Sequence, residues 1–271
     1  VLDDALALPL AGAEGRALME RLRADLPGER WLSFSRWVCV RARLPEDLVA
    51  AAIRAGVHQY VILGAGLDSF AFRRSDLCDD GLRVFEVDHP ATQAWKRARL
   101  EELGLGRPAN LVFAPVDFER QTLHEGLAAA GFAFGAPAVF SWIGVTLYLS
   151  LAAIRATLAT VAAGAAGTRI ALTYNRPRSA LHGLGLAVET TLAGIIAELG
   201  EPVISLFEPA EIEQLLRRCG FDGIVHVGPE EAARTYFPGR GDVRFGGAQR
   251  LVVATVPAAA GPDGAPSRTC C

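Results

Sequence analysis

Lysine is all but missing from this chain: of 27 basic residues in 271, only Lys96 is a lysine. The arginine bias, together with abundant alanine and glycine, reads as the codon preference of a GC-rich genome and points to source rather than function. Blocks of like charge are missing too. With a formal net charge of −3 spread along the chain, there is no electrostatic reason to attract phosphate backbones or an anionic bilayer. Neither nucleic acid nor a membrane is an expected partner. Asp3, Asp4 and Glu14 interrupt the N-terminal apolar residues, so an export signal is not recognisable and a cytoplasmic location is expected. Cysteines are few: Cys39, Cys78 and Cys219 lack metal-ligand spacing, and Cys270 and Cys271 end a Pro/Gly/Ala tail. Neither a disulfide framework nor a metal site is expected from them, and no His/Asp/Glu cluster has metal-ligand spacing either. Residues 126–154 carry no charge, but Gly131, Gly135, Pro137 and Gly144 divide them into a helix end, a loop, a buried strand and a new helix start. That punctuation excludes a membrane span.

What is present is enough apolar sequence, 51% of the residues, to bury a large core in one domain with trimmings. Residues 1–40 read as an N-terminal helical cover, with a helix over Ala13–Leu26 that puts Leu18, Leu22 and Leu26 on one face. Residues 41–256 read as the main domain and 257–271 as a flexible tail. Pro45–Ala55 has a proline in its first turn and Gly56 just beyond its last, which predicts a helix. Strand candidates follow at Tyr60–Leu63, Arg83–Val87, Leu111–Pro115, Ala138–Ile143 and Arg169–Tyr174, separated by helix-length segments. Such alternation predicts a parallel sheet with helices on both faces. Pro209–Cys219 reads as a further helix, followed by strands at Ile224–Val227 and Arg250–Val256 joined by a Gly-rich connection.

The chemistry is concentrated at three strand ends. Tyr60-Val-Ile-Leu-Gly-Ala-Gly-Leu-Asp-Ser69 is an apolar strand running into a turn where Gly64 and Gly66 let the backbone bend tightly and approach a ligand. Glu86 and Asp88 end the next strand on one side of it, placed to accept hydrogen bonds from the hydroxyls of a ribose. Asp117 beside Phe118 closes the third, suited to an adenine amine and ring, although an aspartate there also suits a helix cap.

These segments, with Arg41-Ala-Arg-Leu-Pro-Glu-Asp47, Val61–Arg73, Val84–Pro90, Val116-Asp-Phe118 and Ser141–Leu149, resemble the leucine carboxyl methyltransferase family, specifically its bacterial branch of S-adenosylmethionine-dependent O-methyltransferases. The resemblance implies a Rossmann-like α/β fold of the class I methyltransferases, with a mostly parallel seven-stranded sheet and a helical cover. It implies S-adenosyl-L-methionine as cofactor: Gly64, Ala65 and Gly66 along its methionine and ribose, Asp88 on the ribose, and Asp117 and Phe118 at the adenine. Arg41 or Arg43 would clamp the methionine carboxylate, and Asp68 would brace the turn or meet the ammonium. One departure is Ile143, where several relatives carry a glutamate; it argues against activity on a protein C-terminus, while the Gly144-Val-Thr-Leu-Tyr-Leu149 wording resembles the bacterial small-molecule branch.

The expected function is O-methylation of a hydroxyl or carboxylate on a hydrophobic small molecule, in specialised-metabolite, polyketide-like biosynthesis. Methyl transfer from a sulfonium needs positioning more than acid–base groups. An alcohol would still gain from a base, and His89, Tyr148, Tyr174 and His182 are the candidates. The acceptor is expected to lie between the cover and the apolar Leu181–Leu199 insertion. The alternatives are a carboxyl methyltransferase for a peptide or protein C-terminus, a nicotinamide-dependent oxidoreductase, for which Ser69 replaces the third glycine of the fingerprint, and a non-catalytic relative. Nothing in the sequence bears on oligomeric state.

Overall fold

In a computed structural model, residues 1–78, 81–117, 120–200 and 202–258 are described. The expected Phe118 site residue and the tail from residue 259, with Cys270 and Cys271, lie outside them. The cover is α1 (Ala7–Asp25), kinked where Gly12 leaves helical geometry, and α2 (Glu29–Ile53). The sheet region then runs β1 (Gln59–Leu63), α3 (Phe70–Arg73), α4 (Ser75–Cys78), β2 (Arg83–Asp88), α5 (Pro90–Glu102), β3 (Leu111–Pro115) and α6 (Leu123–Ala129). It continues with β4 (Val139–Trp142), α7 (Leu151–Ala162), β5 (Arg169–Asn175), α8 (Gly183–Glu198), α9 (Pro209–Arg218), β6 (Asp222–Val227), α10 (Pro229–Tyr236) and β7 (Gln249–Thr255).

The seven strands form one sheet in the order β3-β2-β1-β4-β5-β7-β6, parallel except for β7, which runs antiparallel to both neighbours. The order reverses between β1 and β4, and the C-terminal ends of those strands are where an open α/β sheet leaves a crevice for ligands. Val61, Leu63, Phe85, Val87, Phe140, Ile170 and Val252 meet in the main core cluster. Each fully buried side chain of that size contributes about 1.5–3 kcal/mol of transfer free energy. The apolar runs of β1 and β2, broken in β2 by Glu86, follow from burial on both faces, as parallel strands require.

Two expectations are corrected. The predicted Pro45–Ala55 helix is the C-terminal half of α2, a single helix of 25 residues that contains Pro45. Its buried stripe, Trp37, Val40, Leu44, Val49 and Ala52, continues through the proline, and the packing of that stripe outweighs the lost hydrogen bond. The Gly-rich connection between β6 and β7 also holds a helix, α10, opened by Pro229 at its first turn. Cys39 and Cys219 are half-buried free thiols, raised by burial.

Candidate active site

The turn after β1 is glycine-dependent at two points. Gly64 has φ +67°, and a Cβ there would meet Val145 Cγ2 at 2.5 Å. Gly66 has φ +48°, and a Cβ there would meet nothing within 4 Å, so the loop faces open space. Gly64 N–H donates to Val87 O at 2.8 Å and Gly66 N–H to Asp88 Oδ2 at 2.6 Å, which ties the turn to the end of β2. Asp88 Oδ1 takes the His89 N–H at 2.7 Å. Asp68 Oδ1 accepts from Phe70 N at 2.7 Å, at the start of α3. Burial raises the Asp68 carboxyl above its ordinary range.

Beside this turn lies a cavity of about 190 Å³ bordered by Arg41, Tyr60, Gly64, Ala65, Asp68, Ser141 and Ile143. Tyr60 OH donates to Ser141 Oγ at 2.9 Å within its wall. Arg41 comes from α2, and its Nη1 donates to Gln249 Oε1 at 2.7 Å, an oxygen shared with Trp37 Nε1 at 3.3 Å. No ion pair joins Arg41 to a carboxylate among the described residues, and burial lowers its pKa from the usual arginine value. A desolvated cation without an anion is costly unless a ligand brings the anion.

A second cavity of about 380 Å³ shares Arg41 with the first. Its walls are Leu18 and Leu22 of α1, Phe34 and Trp37 of α2, and Leu192, Ile195 and Ile196 of α8. Gly144, Tyr148, Asn175, Glu189 and the Gly246-to-Gln249 segment complete it. The cover and the Leu181–Leu199 insertion thus enclose a cavity together, as expected. Gly246 N–H donates to Ser33 Oγ, and a Cβ at Gly246 would meet Leu184 Cγ and the Leu184 carbonyl at 3.0 Å, so this loop packs tightly against α8.

The other expected residues fall as follows. Of the arginine pair, Arg41 faces the cavities, whereas Arg43 is on the outer side, with Nε 2.6 Å from Asp47 and Nη1 3.1 Å from the Val1 carbonyl. Glu86 is corrected as a ribose ligand: it is fully buried in an ion pair with Lys96, whose Nζ also donates to Asp68 O at 2.6 Å. Desolvation, only partly offset by Lys96, raises the Glu86 carboxyl to about 7. Asp117 stands past β3 near Arg120, and the cap of α6 is Thr122, which closes a capping box with Glu125.

Among the candidate bases, only Tyr148 borders a cavity. Tyr174 is corrected: it is buried in the core, its hydroxyl 3.2 Å from His226 Nδ1, and burial pushes it up to about 12. His89 is exposed and caps α5, its Nδ1 accepting from Ala91 N at 3.2 Å. His182 is the exposed residue before α8 and borders neither cavity. Lys96, Glu189 and Gln249 were missed, since a lone lysine in a helix, a glutamate in an apolar helix and a glutamine at a strand start carry no motif. Among the described residues, no group of three His, Cys, Asp or Glu is placed to hold a metal, and no helix is long and apolar enough to cross a membrane.

The family model of leucine carboxyl methyltransferase matches residues 1–162, which span the cover, the glycine turn, Asp88 and the fourth strand. A Bacillus subtilis protein named "Putative S-adenosyl-L-methionine-dependent methyltransferase YktD" is 32% identical over 84% of this chain and 76% of its own length. A Frankia alni protein of the corresponding name is 36% identical over 62% of this chain and 59% of its own. The alignments therefore span between about three-fifths and three-quarters of these two relatives. Among solved structures, "a putative methyltransferase" from Thermobifida fusca superposes with a TM-score of 0.59 at 20% identity, covering 91% of this chain and 90% of that one, a likeness of fold. The sheet order, the glycine turn with its strand-tip aspartate, and the match over residues 1–162 agree: the chain belongs to the leucine carboxyl methyltransferase family.

Proposed function

We propose that this chain binds S-adenosyl-L-methionine with its methionine end in the smaller cavity and passes its methyl group to an oxygen of an apolar small molecule in the larger one. The observation that carries the reading is Arg41, a half-buried guanidinium without an acidic partner among the described residues, lining one cavity with the half-buried Asp68. A cation and a carboxylate in one small cavity suit the carboxylate and ammonium of an amino acid, the methionine end of the cofactor. Asp88 would hold the ribose and Asp117 the adenine, with Gly64, Ala65 and Gly66 leaving the backbone free to approach. The bound cofactor supplies an electrophilic methyl on a sulfonium.

The chain contributes alignment and dryness. Arg41 borders both cavities, so a ligand held by it lies at their junction, and the leucines and aromatic rings of α1, α2 and α8 exclude water from the acceptor side. Enclosure by the cover, with Ile143 rather than an acid in the wall, favours a small acceptor over a protein C-terminus. Specialised-metabolite biosynthesis in the cytoplasm is the role this acceptor class suggests. Calorimetry tests the reading: S-adenosylmethionine or its demethylated product binds with a dissociation constant of about micromolar order. Saturable binding of a nicotinamide dinucleotide, with no binding of either nucleoside, would overturn it.

A further inference from the structure

The wall of the larger cavity holds one carboxylate, Glu189, among the described residues. It sits in the middle of α8, with apolar Leu192, Ile195 and Ile196 following it along the same cavity. Its Oε2 accepts from the Ala248 N–H at 3.3 Å, and among the described residues no ion pair engages it. Arg178, the cation that acts on it through space, has its own Nη2 bound to Thr190 Oγ1 at 2.9 Å. Ala248 precedes Gln249, the residue that holds Arg41, so one short segment anchors both charged groups of the cavity. The neighbouring polar groups are engaged with one another: Gln249 Oε1 with Arg41 and Trp37, and Gln249 Nε2 with Asn175 Oδ1 at 3.4 Å.

A half-buried carboxylate facing an apolar cavity, held by one long backbone bond, keeps acceptor capacity for a guest. Three guests are conceivable, and the charges decide between them. A carboxylic acid would enter as an anion and meet Glu189 in a low-dielectric space. An amine would enter as a cation and meet the positive sulfonium that the proposed cofactor brings, Arg41 being paired by then with the cofactor's carboxylate. A neutral hydroxyl on an apolar body meets neither repulsion, and donates its hydrogen bond to the carboxylate.

We infer that Glu189 is the general base of this site, and that the acceptor is a hydroxyl compound with an apolar body, neither a carboxylic acid nor an amine. The inference rests on the methyltransferase reading above. In the step it implies, the acceptor's O–H bond breaks and its proton passes to a Glu189 oxygen. The acceptor oxygen keeps that electron pair and bonds to the methyl carbon, while the pair of the broken carbon–sulfur bond stays on sulfur, leaving a neutral thioether. Burial already raises the Glu189 carboxyl above its ordinary range, which brings its basicity closer to that of the group it must deprotonate.

The test compares wild type with Glu189→Gln, using 2-naphthol, 2-naphthoate and 2-naphthylmethylamine as probes of one shape and three charges. Calorimetry of the probes is run with a non-reactive cofactor analogue that keeps a positive charge where the sulfonium stands, and the binding of the demethylated product is measured first in both proteins. Unchanged product binding is expected in the variant; failure of wild type to bind the product would overturn the methyltransferase reading, a separate result from those that follow. Wild type prefers the naphthol. In Glu189→Gln the naphthol weakens by roughly threefold to tenfold, since a neutral amide is a poorer acceptor, and the naphthoate tightens because its repulsion is gone. Methyl transfer to the naphthol, followed with a labelled methyl group, falls by about a hundredfold or more. Preference of wild type for the acid or the amine, or selectivity and transfer indifferent to the substitution, would overturn the inference.

Discussion

Asp88 accepts two backbone N–H groups, one from the glycine turn and one from its own successor. A carboxylate offers about four lone-pair positions, so two remain for the hydroxyls of a ribose, and the bonds already made fix the side chain in advance of binding. Glu86, two residues earlier, has the same chemistry and the opposite fate, since Lys96 holds it in the interior. The two acids could not be told apart in the sequence, because strand periodicity puts both on one side and only the position of α5, which carries Lys96, decides between them. Asp88→Ala should therefore weaken binding of S-adenosylmethionine by at least about tenfold, and Asp88→Asn by less, because charged hydrogen bonds contribute roughly 1.5–3 kcal/mol each. Calorimetry on variants whose circular dichroism matches wild type gives the answer, and a folded Asp88→Ala protein that binds normally would remove Asp88 from the site.

Between elements, Lys96 is the fastening. Its ammonium reaches from α5 to Glu86 of β2 and to the carbonyl of Asp68, and so ties a helix, a strand and the glycine turn together. Its removal leaves an uncompensated carboxylate in the interior, a change that costs about 3–5 kcal/mol in comparable buried pairs. Lys96→Met should show a loss of that order in urea unfolding, and the double variant Glu86→Gln, Lys96→Met should recover much of it, because the charge then goes with its partner. A single and a double variant of equal stability would show that the pair does not act as a unit. The elements themselves were legible where local signals agreed: β3 has its expected bounds, and α9 ends within a residue of expectation. Where signals conflicted, long-range packing decided. Pro45 reads locally as a helix start, yet the stripe from Trp37 to Ala52 packs as one surface and carries the helix through it. The turn residues after β6 conceal α10 for a related reason, since glycines dominate a connection whose helix is only 8 residues long.

For the molecule as a whole, the cofactor half of the proposed site was legible because it is built from contiguous motifs at strand ends, while the acceptor half was legible only as a region. Leu18, Trp37, Glu189 and Gln249 come from four distant segments, and no local pattern announces that they share a cavity. Arg41 joins the halves. It stands on α2, the helix that links the cover to the sheet, so a ligand that satisfies its charge stabilises the cover and the sheet together. A ligand that binds only the folded state adds about 2.7 kcal/mol at a hundredfold excess over its dissociation constant. For a chain of this size each kcal/mol moves the unfolding midpoint by about 2–4 °C, so the demethylated cofactor product should raise it by roughly 5–10 °C. Arg41→Met separates the contributions. Replacing a desolvated cation that has no acidic partner among the described residues by an apolar chain removes a burial penalty at the cost of one hydrogen bond to a glutamine, so the unliganded midpoint should equal or exceed that of wild type. The ligand-induced rise should fall to a small fraction of the wild-type value, because the carboxylate of the ligand has lost its cation. Scanning calorimetry with and without the product measures both quantities in one pair of runs. An undiminished rise in a variant of wild-type stability would mean that the methionine carboxylate is held elsewhere, and the smaller cavity would lose its assignment.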